Sequence, residues 1–172
     1  DFFFADPPVL ILILTGLRLI FGNNLIFYQA LPIILEAGTS VLLFVILKKE
    51  NIKLFFIAPL IYLFSFSILA TSDYLTGAQF SIFFSILGIL LWKIKKPFLS
   101  GVFWAMSFLV KIYFLPAFLG FLIYIVLEKN HKNTLKFILG VATLIFAIMT
   151  PFIIISFPEL IKYLIIHHFN RP

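Results

Sequence analysis

The feature that most constrains this chain is a series of apolar runs too long for a small water-soluble core. Leu25–Leu47 contains a single charged side chain, Glu36, and its length matches the about 20 apolar residues that a bilayer span needs. The chain is 63% hydrophobic and 12% charged, whereas soluble domains are about half apolar and about a quarter charged. Because lipid solvates outward apolar faces, we predict an all-α, polytopic transmembrane helical bundle with short re-entrant or broken helices.

The apolar runs predict one transmembrane domain over residues 1–172. The predicted spans cover residues 25–47, 54–70, 75–92 and 137–155, with a broken hairpin at 98–127. Residues 8–21 are short and contain Arg18, so we predict an interfacial or partial helix there, followed by a turn at 22–24. Because the sequence starts at Asp1 and has no recognisable terminus, we expect it to be a fragment of a longer chain.

Lysines set the predicted orientation. They gather three at a time in segments 48–53, 93–96 and 129–136, and segments 1–7 and 71–76 hold none. The positive-inside rule places the lysine-rich segments in the cytosol and the other two outside. Both ends of 97–128 are then cytosolic, so this stretch must enter the membrane and return, with a break near Lys111.

Several classes of function are excluded by what the sequence lacks. There is no cysteine, which removes disulfides and thiolate metal sites. The net charge of +6 arises from lysine clusters between apolar runs rather than from a basic stripe, so we expect no nucleic-acid partner. The sequence contains no nucleotide-binding loop, zinc signature or recognisable Ser/His/Asp set.

Ionisable residues within the apolar runs are functional candidates because burying them in a membrane is costly. For Glu36 we favour a structural role, since Gly38, Thr39 and Ser40 lie close enough to satisfy its carboxyl group. For Lys111 we favour a functional role, because a lysine at the tip of a broken hairpin is well placed to hold a phosphate.

A second group of candidates lies on the predicted outer side. Carboxylates there could bind a divalent ion or act as a general base. Asp73 could equally cap the helix that begins near Leu75. The polar residues of this group are Asp1, Asp6, Asp73, Gln79, His167, His168 and Arg171.

The order of three motifs resembles the GT-C glycosyltransferases, which use sugars linked to polyprenyl phosphate. The first is Asp6-Pro7-Pro8, opening an apolar helix that ends in Phe21-Gly22-Asn23. The segment 72–80 is similar to the Gly-Gln-Phe-Asp turn of that family, but Ala78 separates Gly from Gln and no Asp follows Phe80. The segment 100–113 is similar to the Lys-x-Tyr-Pro run of mannosyltransferase-like members, with Phe114 in place of the proline.

The resemblance implies transfer of mannose or a similar hexose from a polyprenyl-phosphate donor on the outer face of the cell membrane. It implies donor and substrate contacts for Lys111, Gln79, Tyr113 and Arg171. The catalytic candidates are Asp6 and Asp73, although the family's principal carboxylate usually lies in a loop that would mostly precede Asp1. Some members of that family need a divalent cation, and the resemblance does not decide whether this chain needs one. The expected partners are the lipid-linked donor and membrane lipid.

Two other functions stay open at this point. A lipid or solute transporter or flippase would suit the charged Glu36 and Lys111 in broken helices, although we find no inverted repeat in the sequence. A non-catalytic membrane scaffold would explain the polar residues as structural. A structure in which no outer cavity reaches Lys111 would favour the scaffold. Donor-dependent transfer that persists at the wild-type rate in Lys111→Ala would exclude the phosphate role of that lysine.

Overall fold

The computed structural model describes residues 8–65 and 77–161, and these residues are helical apart from short turns. The described residues contain no β-strand, so the predicted all-α class is confirmed. The helices are α1 (Pro8–Phe21), α2 (Leu25–Lys49), α3 (Ile57–Leu63), α4 (Gly77–Lys93), α5 (Pro97–Val110), α6 (Leu115–Leu127) and α7 (His131–Ile161), with a 3₁₀ turn at Ile112–Phe114.

Among the described residues, two helices are long and apolar enough to cross a membrane, namely Leu25–Lys49 and the segment His131–Pro151 of α7. Many large apolar side chains point away from the protein, including Leu19 at 83% exposure, Ile26 at 77% and Phe146 at 70%. Helices α5 and α6 are shorter, at about 21 and 20 Å for a rise of about 1.5 Å per residue. Neither reaches the roughly 30 Å thickness of a hydrocarbon core.

The N-terminal helices begin and end where local chemistry dictates. Helix α1 stops before Gly22, whose φ of 63° is easily adopted only by a residue without a Cβ. Asn24 caps α2, since its side-chain oxygen accepts a hydrogen bond from the backbone N–H of Ile26 at 3.1 Å. Pro97 is the first residue of α5, where a backbone N–H would have no partner within the helix, so its missing N–H costs no hydrogen bond.

Two helix boundaries differ from the sequence-based prediction. Of the span predicted over residues 54–70, the described helix α3 covers Ile57–Leu63, and residues 66–70 lie outside the described residues. Pro59 explains the late start, since it has no N–H to donate to the carbonyl of Phe55 and must lie in the first helical turn. Helix α7 begins earlier than predicted, at His131, because the Asn130 side chain accepts the N–H of Asn133 at 3.2 Å.

Helix α5 is the centre of the described bundle and packs against both α4 and α7. Its contact with α7 is a backbone-to-backbone approach at two glycines. A Cβ on Gly101 would overlap the carbonyl of Phe137, and a Cβ on Gly140 would overlap the carbonyl of Phe98. Small residues at such crossings are typical of helices packed within membranes.

Contacts between side chains bring the three lysine-rich segments to one end of the bundle. Lys93 Nζ lies 2.9 Å from Glu50 Oε1, which joins the end of α4 to the end of α2. The indole N–H of Trp92 donates to Glu128 Oε2 at 3.0 Å, which joins α4 to the end of α6. Lys111, after the last residue of α5, therefore lies at the opposite end.

Candidate functional site

Lys111 occupies the break between α5 and α6. Its backbone is extended, with φ of −146° and ψ of 114°, so the helix ends at Val110. Its N–H donates to Ser107 O at 3.2 Å, and its carbonyl accepts from Phe114 N at 3.0 Å. Pro116 contributes to the break, because a helix continuing through it would place its ring against the carbonyl of Ile112. The lysine is thus held by its backbone, and its side chain is only partly buried.

The start of α4 lies directly against this break. A Cβ placed on Gly77 would meet Leu10 Cδ2 at 3.2 Å, Val110 Cγ1 at 3.3 Å and Lys111 Cδ at 3.7 Å. The alkyl part of the Lys111 side chain therefore lies beside Gly77, at a distance where a Cβ would make ordinary van der Waals contact with it.

Gln79 lies near the same end of α4 but on another face. It is 2% exposed and is among the most fully buried side chains described. Residues two positions apart are about 200° apart around a helix, so Gln79 points away from the side on which Gly77 meets Lys111. Gln79 and Lys111 therefore lie near the same end of the bundle but do not face a common surface.

Tyr113 is the other described candidate, and it lies in the 3₁₀ turn that follows Lys111. Its side chain is 65% exposed. A phenol at this position can donate a hydrogen bond to a group bound beside Lys111. The remaining candidates lie outside the described residues, and they are Asp1, Asp6, Asp73, His167, His168 and Arg171.

Glu36 occupies a separate polar position between α2 and α3. It is 4% exposed, and the Tyr62 hydroxyl donates a hydrogen bond to its Oε2. Its Oε1 is buried and has no hydrogen-bond partner among the described residues. The expected partners are engaged elsewhere, since Thr39 donates to Leu35 O at 2.8 Å and Ser40 to Pro59 O at 3.3 Å.

Sequence reasoning missed Tyr62 as the partner of Glu36. The signal available was a hydroxyl-bearing side chain within the otherwise apolar run 54–64. What the sequence could not supply was the rotation of α3, which decides whether that hydroxyl faces α2 or lipid. The described residues contain no group of three or more His, Cys, Asp or Glu side chains that could hold a metal ion.

The geometry at Lys111 suits recognition of an anion at the surface of the bundle. A cation on a short extended linker, with its stem beside Gly77 and a phenol two residues further on, can contact a phosphate from one side. No family model, curated protein or solved structure matches this chain. The residues themselves therefore carry the functional argument.

Proposed function

We propose that this chain belongs to a multi-pass protein of the cell membrane that transfers a hexose from a polyprenyl-phosphate donor, as GT-C glycosyltransferases do. The observation that supports this function best is the position of Lys111 at the break between two helices too short to cross a bilayer. A polyprenyl phosphate keeps its tail in lipid and its phosphate near the membrane surface. A lysine at the membrane surface is able to bind that phosphate.

The proposed reaction assigns a role to each part of the donor. The acceptor hydroxyl attacks the anomeric carbon, a general base takes its proton, and the bond from that carbon to the phosphate oxygen breaks. The polyprenyl phosphate leaves as an anion, and the Lys111 ammonium stabilises the charge that develops on it. Tyr113 donates to a phosphate oxygen, and Arg171 and Gln79 remain proposed substrate contacts. Asp6 and Asp73 are the proposed base candidates, and a residue preceding Asp1 is the alternative.

The test uses the full-length protein in lipid vesicles with a radiolabelled polyprenyl-phosphate mannose donor. We expect Lys111→Ala to lower donor-dependent transfer at least about tenfold, because hydrogen bonds to charged groups contribute about 1.5–3 kcal/mol. Lys111→Arg should restore part of the activity. Lys132→Ala is the control, since it removes a lysine at the opposite end. Transfer at the wild-type rate by a folded Lys111→Ala variant would overturn the phosphate role.

A second function is favoured by Glu36, whose buried Oε1 has no hydrogen-bond partner among the described residues. Acidic residues inside membrane helices often lie on ion or proton pathways, so a proton-coupled transporter or flippase is the alternative proposal. Its test is proton uptake into vesicles by the wild type and by Glu36→Gln. Uptake that depends on Glu36, together with no sugar transfer, would favour transport over the glycosyltransferase.

A further inference from the structure

A separate polar pocket of about 220 Å³ lies at the lysine-rich end of the bundle. It is lined by Trp92, Lys93, Lys95, Glu128, Asn130 and Asn133. These residues come from the end of α4, the loop after it, the loop after α6 and the first turn of α7. The proposed glycosyltransferase reaction uses none of them, because Lys111 lies at the other end of α5.

Two acceptor oxygens in the wall of this pocket are already engaged. Glu128 Oε2 accepts the indole N–H of Trp92 at 3.0 Å, and Asn130 Oδ1 accepts the backbone N–H of Asn133 at 3.2 Å. Lys93 is paired with Glu50 at 2.9 Å. Lys95, in contrast, makes no side-chain hydrogen bond or ion pair with the described residues. The pocket therefore offers an unpaired ammonium group together with amide N–H donors.

The backbone at Lys95 is in a conformation that usually favours glycine. Its φ is 60°, and it follows the end of α4 in a Schellman motif, with Lys95 N donating to Trp92 O at 3.0 Å and Lys96 N to Leu91 O at 2.9 Å. Asn51 and Lys129 adopt the same conformation after α2 and α6, so the left-handed backbone marks the end of a helix and not by itself a ligand site. A glycine would suit the turn better but could not supply a cation to the pocket.

The charge and polarity around the pocket fit an anionic lipid. The three lysine-rich segments carry nine lysines and one glutamate, and the adjoining Glu128 brings their net charge to +7. Two large apolar side chains adjoin the pocket in sequence and are exposed, Ile94 at 39% and Leu127 at 72%. They offer apolar surface for acyl chains next to the cationic group, which a soluble anion would not need. Basic pockets of this kind on the cytosolic side of helical bundles bind lipid head groups.

We propose that this pocket binds the phosphate of an anionic phospholipid in the cytosolic leaflet. The Lys95 ammonium contacts the phosphate oxygens, and the side-chain amides of Asn130 and Asn133 donate hydrogen bonds to them. The acyl chains lie along the apolar surface at Ile94 and Leu127. No covalent step is involved, and the site is independent of the donor site at Lys111.

The first experiment removes the cation without disturbing the turn. The full chain is reconstituted in vesicles of equal phosphatidylglycerol and phosphatidylcholine, and the lipids that stay bound are counted by native mass spectrometry. We expect Lys95→Gly to reduce the enrichment of phosphatidylglycerol about tenfold, as for the loss of a direct hydrogen bond to a charged group. Lys95→Arg should keep the enrichment. Glycine suits the left-handed conformation, so the variant should fold at least as well as the wild type.

The matched control is Lys129→Gly. Lys129 also has a positive φ, of 56°, follows the end of α6 at the same end of the bundle, and does not line the pocket. Its replacement by glycine therefore removes the same charge in the same backbone conformation. Equal losses of enrichment in the two variants would mean diffuse attraction to the lysine-rich end and would overturn the proposal, as would unchanged enrichment in Lys95→Gly.

A second experiment separates a lipid phosphate from a soluble one. The rate of amine acetylation at Lys95 is compared with the rate at Lys129 in phosphatidylcholine vesicles. The measurement is repeated with phosphatidylglycerol in the vesicles and, separately, with millimolar inorganic phosphate in the buffer. We expect phosphatidylglycerol to protect Lys95 selectively and inorganic phosphate to give no selective protection. Equal protection of Lys95 by inorganic phosphate would assign the pocket to a soluble anion and overturn the proposal of a lipid ligand.

Discussion

Ser81 and Ser107 exchange hydrogen bonds across the interface between α4 and α5. Each hydroxyl donates to the backbone carbonyl oxygen of the other residue at 2.8 Å, and both side chains are fully buried. A third serine extends the same interface, since Ser100 donates to Gly88 O at 2.7 Å. These three serine hydroxyls are thus satisfied between the two helices, and the exchange fixes the axial register of α4 against α5.

The serine exchange leads to a prediction about stability in lipid. We expect Ser81→Ala and Ser107→Ala each to lower the free energy of unfolding by about 0.6 to 1.7 kcal/mol, the average and the maximum measured for hydrogen bonds between membrane helices. Ser85→Ala is the control, because Ser85 donates to Ile82 O within its own helix. Reversible unfolding in mixed micelles provides the measurement, and a larger loss for the control would contradict this account of the interface.

The glycine crossing of α5 and α7 gives a prediction with a larger effect. Gly101→Ala places a methyl group on the carbonyl of Phe137, so the two helices must separate. We expect the free energy of unfolding to fall by about 1–3 kcal/mol, the usual cost of overpacking a core. Gly120→Ala in α6 is the control, since a Cβ there meets nothing within 4 Å and alanine favours the helix by about 1 kcal/mol. Thermal unfolding of both variants should therefore move in opposite directions.

The pairing of Glu36 with Tyr62 predicts a penalty for removing one partner. Tyr62→Phe removes the hydrogen bond to Oε2 of the buried Glu36 carboxyl group, whose Oε1 already has no partner among the described residues. We expect the free energy of unfolding to fall by about 1–3 kcal/mol. Adding Glu36→Leu should recover much of that stability, because neither member of the pair then remains.

The control for this pair is Tyr28→Phe, which removes an exposed hydroxyl that donates to Gly22 O at 3.1 Å. We expect Tyr28→Phe to change the free energy of unfolding by no more than about 0.5 kcal/mol, as for most surface substitutions. A penalty in Tyr62→Phe that Glu36→Leu fails to relieve would show that the aromatic packing, rather than the hydrogen bond, was lost.

The ion pair between Lys93 and Glu50 predicts a dependence on pH at alkaline values. The hydrogen bond to Glu50 raises the pKa of Lys93 above its ordinary value of 10.5. Because the folded-state pKa is the higher one, this stabilisation is complete below pH 10.5 and is lost as the pH rises through the folded-state pKa. Both side chains are partly exposed, so the contribution is only about 0.2–1 kcal/mol.

We therefore expect Glu50→Gln to be less stable than the wild type at pH 8 and to approach it above pH 10.5. Parallel unfolding series at the two pH values measure the difference. Lys49→Gln, at a neighbouring exposed lysine outside the ion pair, provides the comparison. A difference between wild type and Glu50→Gln that is the same at both pH values would exclude the ion pair as its origin.

Local chemistry made several features of this fold predictable. The end of α1 before Gly22 and the helix start at Pro97 follow from backbone preferences of single residues. The all-helical class follows from apolar runs that must satisfy their backbone hydrogen bonds internally. In the described part of the span predicted at 54–70, helix α3 begins only at Ile57, because Pro59 must lie in its first turn.

The sequence by itself determined that this chain is helical, that its lysines form three clusters and that Lys111 interrupts an apolar run. Only the tertiary structure decided which side chains meet. The contacts of Lys111 with Gly77, of Glu36 with Tyr62 and of Lys95 with its pocket depend on how each helix is rotated about its axis. That rotation is set by packing between helices distant in sequence, such as the overlap of Gly101 with the backbone of Phe137, and no local pattern encodes it.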